Sequence, residues 1–243
     1  MNDLSIVELR QYTLHPGRRD ELIELFDRKF VETQEATGMR ILGQFRDLDD
    51  PDRFVWMRGF RDMESRGRAL TEFYVESETW KVHGPAARAT MVDSKNALLL
   101  RPVNHDSGFP VTSSKRPPIG AGALPRSRLA ATVCTLIEPV TDKFRAFFQD
   151  HVIPLLKAAG AAPLAYFETE YAENTFPQLP VRTGEHVFTW FALFANDDAY
   201  DTHVEYLHRS VEWREVVRPE LQTHLNDAPR QLRLAPTARS LLR

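Results

Sequence analysis

Residues 7–26 read VELRQYTLHPGRRDELIELF, and residues 128–148 read RLAATVCTLIEPVTDKFRAFF. In the first stretch Val7 and Leu9 alternate with Glu8, Arg10 and Tyr12, the period-two pattern of a strand. His15-Pro16-Gly17 then breaks the chain, and Leu22, Leu25, Phe26 and Phe30 follow at helical spacing until Gly38, a helix terminator. The second stretch repeats the sequence of events: an alternating strand, a proline, then a helix rich in phenylalanine. A strand-turn-helix that recurs more than 100 residues later predicts two domain-sized copies rather than a solenoid.

Outward from these stretches the copies extend in parallel. Residues 39–46 and 53–60 alternate on either side of the turn DLDDPD and predict a hairpin. Residues 62–90 have helical composition with a predicted break at Gly84-Pro85, and residues 93–101 end in a strand. In the second half the hairpin is residues 162–171 and 185–195 with a longer loop, residues 196–225 read as helix, and residues 230–234 as a final strand. The order β-α-β-β-α-β in each half is the ferredoxin-like unit. The expected fold class is α+β, with two tandem ferredoxin-like units whose antiparallel sheets cover each other as a pseudo-dimeric barrel. The expected domains are residues 1–102 and 128–243, joined by a Pro/Gly/Ser-rich linker over 103–127. Registering the copies on Pro16 and Pro139 sets Glu8 against Ala131, Arg10 against Val133 and Tyr12 against Thr135, and the hairpins set Arg58 against Ala192.

A formal net charge of -3 offers no positive field for a polyanion, so nucleic acid is not expected as a partner. The single cysteine, Cys134, lies in an alternating apolar run and reads as a small buried hydrophobe. The absence of a signal-like start and of any run of about 18 apolar residues predicts a cytoplasmic chain without a membrane span. His203 and His208 are five apart on a predicted helix, off a common face, so no metal site is expected. The acidic turn at Asp47, Asp49, Asp50 and Asp52 lacks the glycine and distal glutamate of a calcium loop, and Gly120-Ala121-Gly122 lacks the strand-to-helix context of a dinucleotide site.

The opening VELRQYTLHPGRRDELIELF, the hairpin GQFRDLDDPDRFVWMRGF at 43–60 and the aromatic helix reaching Glu78-Thr79-Trp80 together resemble the NIPSNAP domain, a branch of the dimeric α+β barrel superfamily. The resemblance covers residues 4–102; the second half keeps only Phe188-x-Trp190 and Trp213. It implies two facing sheets around a pocket. Related barrels include cofactor-independent monooxygenases, isomerases and haem enzymes, so the resemblance implies fold more narrowly than function.

Alternation places Glu8, Arg10 and Tyr12 on one strand face and Trp56 and Arg58 on another. With the aliphatic faces assigned to the helices, these polar and aromatic side chains are expected inside the barrel. Glu8, Arg10, Tyr12 and Arg58 are the candidate catalytic residues, with Arg10 and Arg58 on an oxyanion and Glu8 or Tyr12 moving a proton. Gln44, Trp56, Trp80 and His83 are the candidate substrate-binding residues, Gln44 sharing its place with Phe45 until register is known. Two arginines against one glutamate suggest an anionic or carbonyl-bearing small molecule, handled by a metal-independent monooxygenase, isomerase or lyase. A non-catalytic binding or scaffold protein is the alternative. No cofactor is expected; haem, with His83 as a ligand, is the third reading. A homo-oligomer is compatible with the remaining exposed edges.

Overall fold

The computed structural model describes residues 4–110 and 115–243; residues 1–3 of the predicted first unit and 111–114 of the predicted linker lie outside the described residues. In the first half the strands are β1 (Ile6–Leu14), β2 (Arg40–Asp47), β3 (Arg53–Phe60), the short β4 (Met91–Asp93) and β5 (Ala97–Pro102). In the second they are β6 (Arg128–Leu136), β7 (Ala165–Thr169), β8 (His186–Phe194) and β9 (Arg230–Pro236).

Each half forms the same four-stranded antiparallel sheet, β5-β1-β3-β2 in the first and β9-β6-β8-β7 in the second. Two short antiparallel seams, β2 with β9 and β5 with β7, join the sheets edge to edge. Eight strands therefore close into an antiparallel barrel, and β4 pairs outside it on β1. An eight-stranded barrel is narrow enough for side chains to fill it, and here they do. Val7, Leu9, Phe45, Met57, Val133, Phe191 and Leu234 fill it from the strands, with Phe109 and Leu242 entering from the connecting segment and the last residues.

Helices cover the outer faces. The first runs over residues 19–36 with a π turn at Phe26–Phe30 and ends before Gly38, whose φ of 91° suits a glycine terminator. Its counterpart over residues 142–158 has a π turn at Phe148–Val152 and ends before Gly160, φ 99°. The shift between copies is constant along this element (148 − 26 = 122; 160 − 38 = 122). No helix among the described residues is long and apolar enough to cross a membrane.

Three expectations are corrected. The second helical region of the first half does not break at Gly84-Pro85: Pro85 lies within Glu78–Arg88, and the break is at Ser77, an extended N-cap whose hydroxyl accepts from Trp80 N–H. Likewise residues 196–225 are two segments, Asp197–Arg209 and 211–223, parted at Ser210, which accepts from Trp213 N–H. The π turns of these regions, Glu72–Glu76 and Trp213–Val217, fall on opposite sides of the matching serines.

The second correction is the register of the copies. Glu8 lies opposite Arg58 and Ala130 lies opposite Ala192, so the sheet equates Glu8 with Ala130, Arg10 with Thr132 and Tyr12 with Cys134 (130 − 8 = 122). Pro16 and Pro139 are not equivalent: the shift is 122 in the strand before the turn and in the helix after it, so Pro16 stands against Glu138 and Pro139 falls one place later in a turn of the same length. The third correction is the strand faces. Glu8, Arg10, Tyr12, Gln44, Trp56 and Arg58 point outward beneath the helices, while the aliphatic set fills the barrel. The physical reason is space and solvation: a filled eight-stranded interior gives a charge neither water nor partners, whereas the helices bring polar groups of their own.

Candidate functional site

Beneath the first half's helices the predicted catalytic residues do meet. Glu8 is fully buried and binds three guanidinium groups: Arg58 Nε donates to Oε2 at 2.9 Å, Arg10 Nη1 to Oε2 at 3.0 Å and Arg66 Nε to Oε1 at 2.7 Å. Arg10 Nε also donates to the Tyr12 hydroxyl at 3.0 Å. Arg58 Nη1 donates to Gln34 Oε1 at 3.0 Å and to the Tyr74 hydroxyl at 3.2 Å. Burial pushes the Glu8 pKa up, but Arg58, Arg10 and Arg66 together outweigh it and hold the carboxyl well below the usual range.

Of the predicted binding residues, Trp56 joins this cluster by stacking under Arg58, 4.9 Å from its ring centre. Trp80 touches the cluster at Tyr74, whose ring centre lies 4.7 Å away, and otherwise packs on Phe30 and Phe73. Gln44 turns instead to the first helix, donating to Asp27 Oδ1 at 3.2 Å; burial pushes the Asp27 pKa up to about 6. His83 is half-buried on the helix carrying Trp80 and takes no part in the Glu8 hydrogen bonds or ion pairs.

Arg66, Gln34 and Tyr74 were not singled out from the sequence, nor was the loop that covers them. That loop, residues 170–185 between β7 and β8, crosses from the second half. Asn174 and Thr175 accept from Arg66 Nη1 at 2.9 and 3.1 Å, and Phe176 stacks on Tyr74. The first half's helix-side layer is thereby filled and sealed.

The second half differs at the same layer. Ala130, Thr132 and Ala192 stand where the first half has Glu8, Arg10 and Arg58, and between them and the helices lies a cavity of about 340 Å³. At roughly 30 Å³ per water this is about eleven waters, the size of a one- to three-ring organic molecule. The buried part of its wall is Trp190, Phe194, Leu156, Leu207 and Leu221 with Thr132 and His203; the exposed part carries His208, Arg218, Gln222 and Gln231. The β2–β3 turn is too short to reach across it as the 170–185 loop reaches across the first half. Its Asp49 ends in an ion pair with Arg233, which stacks on Tyr200 at the cavity edge.

His203 is the polar group with the best-defined state. Its Nδ1 lies 3.1 Å from the Ala159 carbonyl oxygen, which can only accept, so Nδ1 carries the proton and Nε2 keeps its lone pair. Burial lowers the His203 pKa, partly offset by that hydrogen bond, and the ring is neutral at pH 7. Cys134, at the position of Tyr12, is buried with its thiol pushed up to about 12 by burial, and is inert. The signal for the cavity was present in the comparison of copies: Ala130 and Ala192 are small where the first half is large. Read as lost charge, it pointed to the first half; read as lost volume, it points to the second.

Residues 7–105 match the NIPSNAP family model. An anthrone oxidase-like protein superposes with a TM-score of 0.57 at 13% identity, over 97% of this chain and 92% of that one. A provisionally assigned monooxygenase from Lactobacillus acidophilus NCFM gives 0.56 at 12% identity, over 96% and 94%. A NIPSNAP family protein from Agrobacterium tumefaciens strain C58 is 21% identical over 41% of this chain and 94% of its own, with a TM-score of 0.38. No match is found among curated proteins. The two full-length likenesses show a shared α+β barrel fold.

Proposed function

We propose, on the premise that residues 7–105 of this chain are a NIPSNAP domain, that the protein binds a small ring-bearing molecule in the cavity of its second half and takes a proton from it through His203. The observation that carries this reading is a neutral, buried histidine, its Nδ1 proton committed to a carbonyl, in a cavity walled by Trp190 and Phe194. Flat apolar walls favour an aromatic ring, and a fixed lone pair at Nε2 favours an acidic O–H or C–H on that ring. The fold neighbours described as an anthrone oxidase-like protein and a monooxygenase suggest the reaction to try first. In it anthrone and one O₂ give anthraquinone and one water: His203 removes a proton from the ring CH₂, the resulting carbanion is oxidised by O₂, and the second hydrogen leaves in the water. The Glu8 cluster is, on this reading, the packing of a layer whose counterpart does the binding.

The test is O₂ uptake with anthrone in air-saturated buffer, corrected for the rate without protein. Uptake of one O₂ per anthrone, lowered about 10²- to 10⁴-fold in His203→Ala, is the expected result. Because burial lowers the His203 pKa, the neutral base persists as pH falls past the ordinary histidine value of about 6.5, and the rate drops only at lower pH. Saturable quenching of tryptophan fluorescence without uptake would make the protein a binder; neither uptake nor quenching would remove the cavity as its site.

A further inference from the structure

We infer that the ligand of this cavity is an aromatic acid, its ring among Trp190 and Phe194 and its carboxylate at Arg218 on the rim; the inference rests on the reading of the cavity given above. The charge on the surrounding elements carries it. Residues 197–223, which form the two helical segments over the cavity, contain seven carboxylates (Asp197, Asp198, Asp201, Glu205, Glu212, Glu215 and Glu220) and three arginines (Arg209, Arg214 and Arg218). None of the seven lines the cavity, and Arg218 does. Nineteen residues line it in all, with no Asp or Glu, one permanent cation and two histidines. In a chain of net charge -3, with acid-rich helices overhead, an acid-free lining is a property of the site and not of the composition.

Arg218 is also uncommitted. Arg209 and Arg214 pair with Glu205 and Glu215, whereas Arg218 has no carboxylate within 4.0 Å among the described residues. It is exposed, at the start of Arg218–Thr223, while Thr132 and His203 are buried, so charge sits at the mouth and the base at depth. A ligand that satisfies both has its anionic group and its acidic hydrogen at opposite ends of a flat ring system. The first half gives the control: the shift set by Ser77 and Ser210 is 133 (210 − 77), the π turn at Trp213–Val217 adds one residue, and Arg218 therefore corresponds to Gly84, so where the cavity is filled no cation is kept. A guanidinium meets a carboxylate through two parallel charge-assisted hydrogen bonds, which a neutral analogue cannot reproduce.

The experiment is a calorimetric titration of the full chain with 2-naphthol and with 6-hydroxy-2-naphthoate, which differ by a carboxylate at the end remote from the hydroxyl. We expect the acid to bind about tenfold tighter, the ratio to shrink with added salt, and the ratio to fall near one in Arg218→Gln. Equal affinities in the unaltered protein, or a ratio that survives in Arg218→Gln, would overturn the acid assignment and leave the cavity reading standing. If neither compound binds, both fall together.

Discussion

Glu8 is one carboxylate among three guanidinium groups with no exposed side-chain surface on any of the four. Its neighbours are arranged around its two oxygens, and Arg58 is steadied further by Gln34 and by the rings of Trp56 and Tyr74. Removing the carboxylate's charge leaves three buried cations facing one another. Glu8→Gln is therefore expected to cost about 3–5 kcal/mol, measured by urea denaturation, the range for breaking a buried pair from one side. A change below about 1 kcal/mol would mean that water reaches the arginines. The identities of these residues were legible from alternation along β1 and β3; which face they occupied was not. Alternation gives two faces without saying which is covered by helix and which by the opposite sheet, and Glu8, Arg10 and Arg58 were assigned to the wrong one. Arg66 was missed because a single arginine on an amphipathic helix reads as exposed until the loop above it is known.

The hairpin loops decide what each half's helix layer becomes. Residues 170–185 carry Phe176 into the first half's core at 5% exposure, beside Tyr74, and fix Asn174 and Thr175 on Arg66. Substitutions in a surface loop usually change stability by no more than about 0.5 kcal/mol. Phe176→Ala is expected to cost about 2–4 kcal/mol, because it empties a core position although it lies on a loop of the other half. Equilibrium denaturation measures it. The length difference between the loops was visible in the sequence, and so was the hairpin order. The destination of the longer loop was not, since proline-rich irregular segments have no periodicity to say what they cover. The helix break at Ser77 was hidden for a related reason: Gly84-Pro85 is a stronger local signal, but Gly84 is held under the Trp80 ring, where a Cβ would come within 2.8 Å, and the helix continues through it.

Neither sheet closes on itself. In the first half β2 and β5 are the free edges, and each is occupied by a strand of the second half over three residue pairs. The barrel interior is thus shared, with Val7, Leu9 and Met57 packing on Val133, Phe191 and Leu234. Residues 1–105 expressed alone should expose both edges and half of that interior, and we expect dimers or larger assemblies by light scattering. A folded monomer of that fragment would contradict the pseudo-dimer as the source of its stability. This level was the most legible from sequence, because duplication repeats every local signal and Gly38 and Gly160, or Trp80 and Trp213, check one another.

The π turns give the protein a history. Each such turn is one residue more than a regular helix holds. Phe26–Phe30 and Phe148–Val152 coincide under the 122-residue shift, so that added residue was already in the ancestor before it was copied. Glu72–Glu76 ends before Ser77, whereas Trp213–Val217 begins after Ser210, so those two do not coincide and the copies differ there in backbone. This second pair lies in the helical layer that is packed solid in one half and hollow in the other. The copies diverged in backbone in the same layer in which they diverged in side chains, and it is there that a descendant's specialisation should be sought.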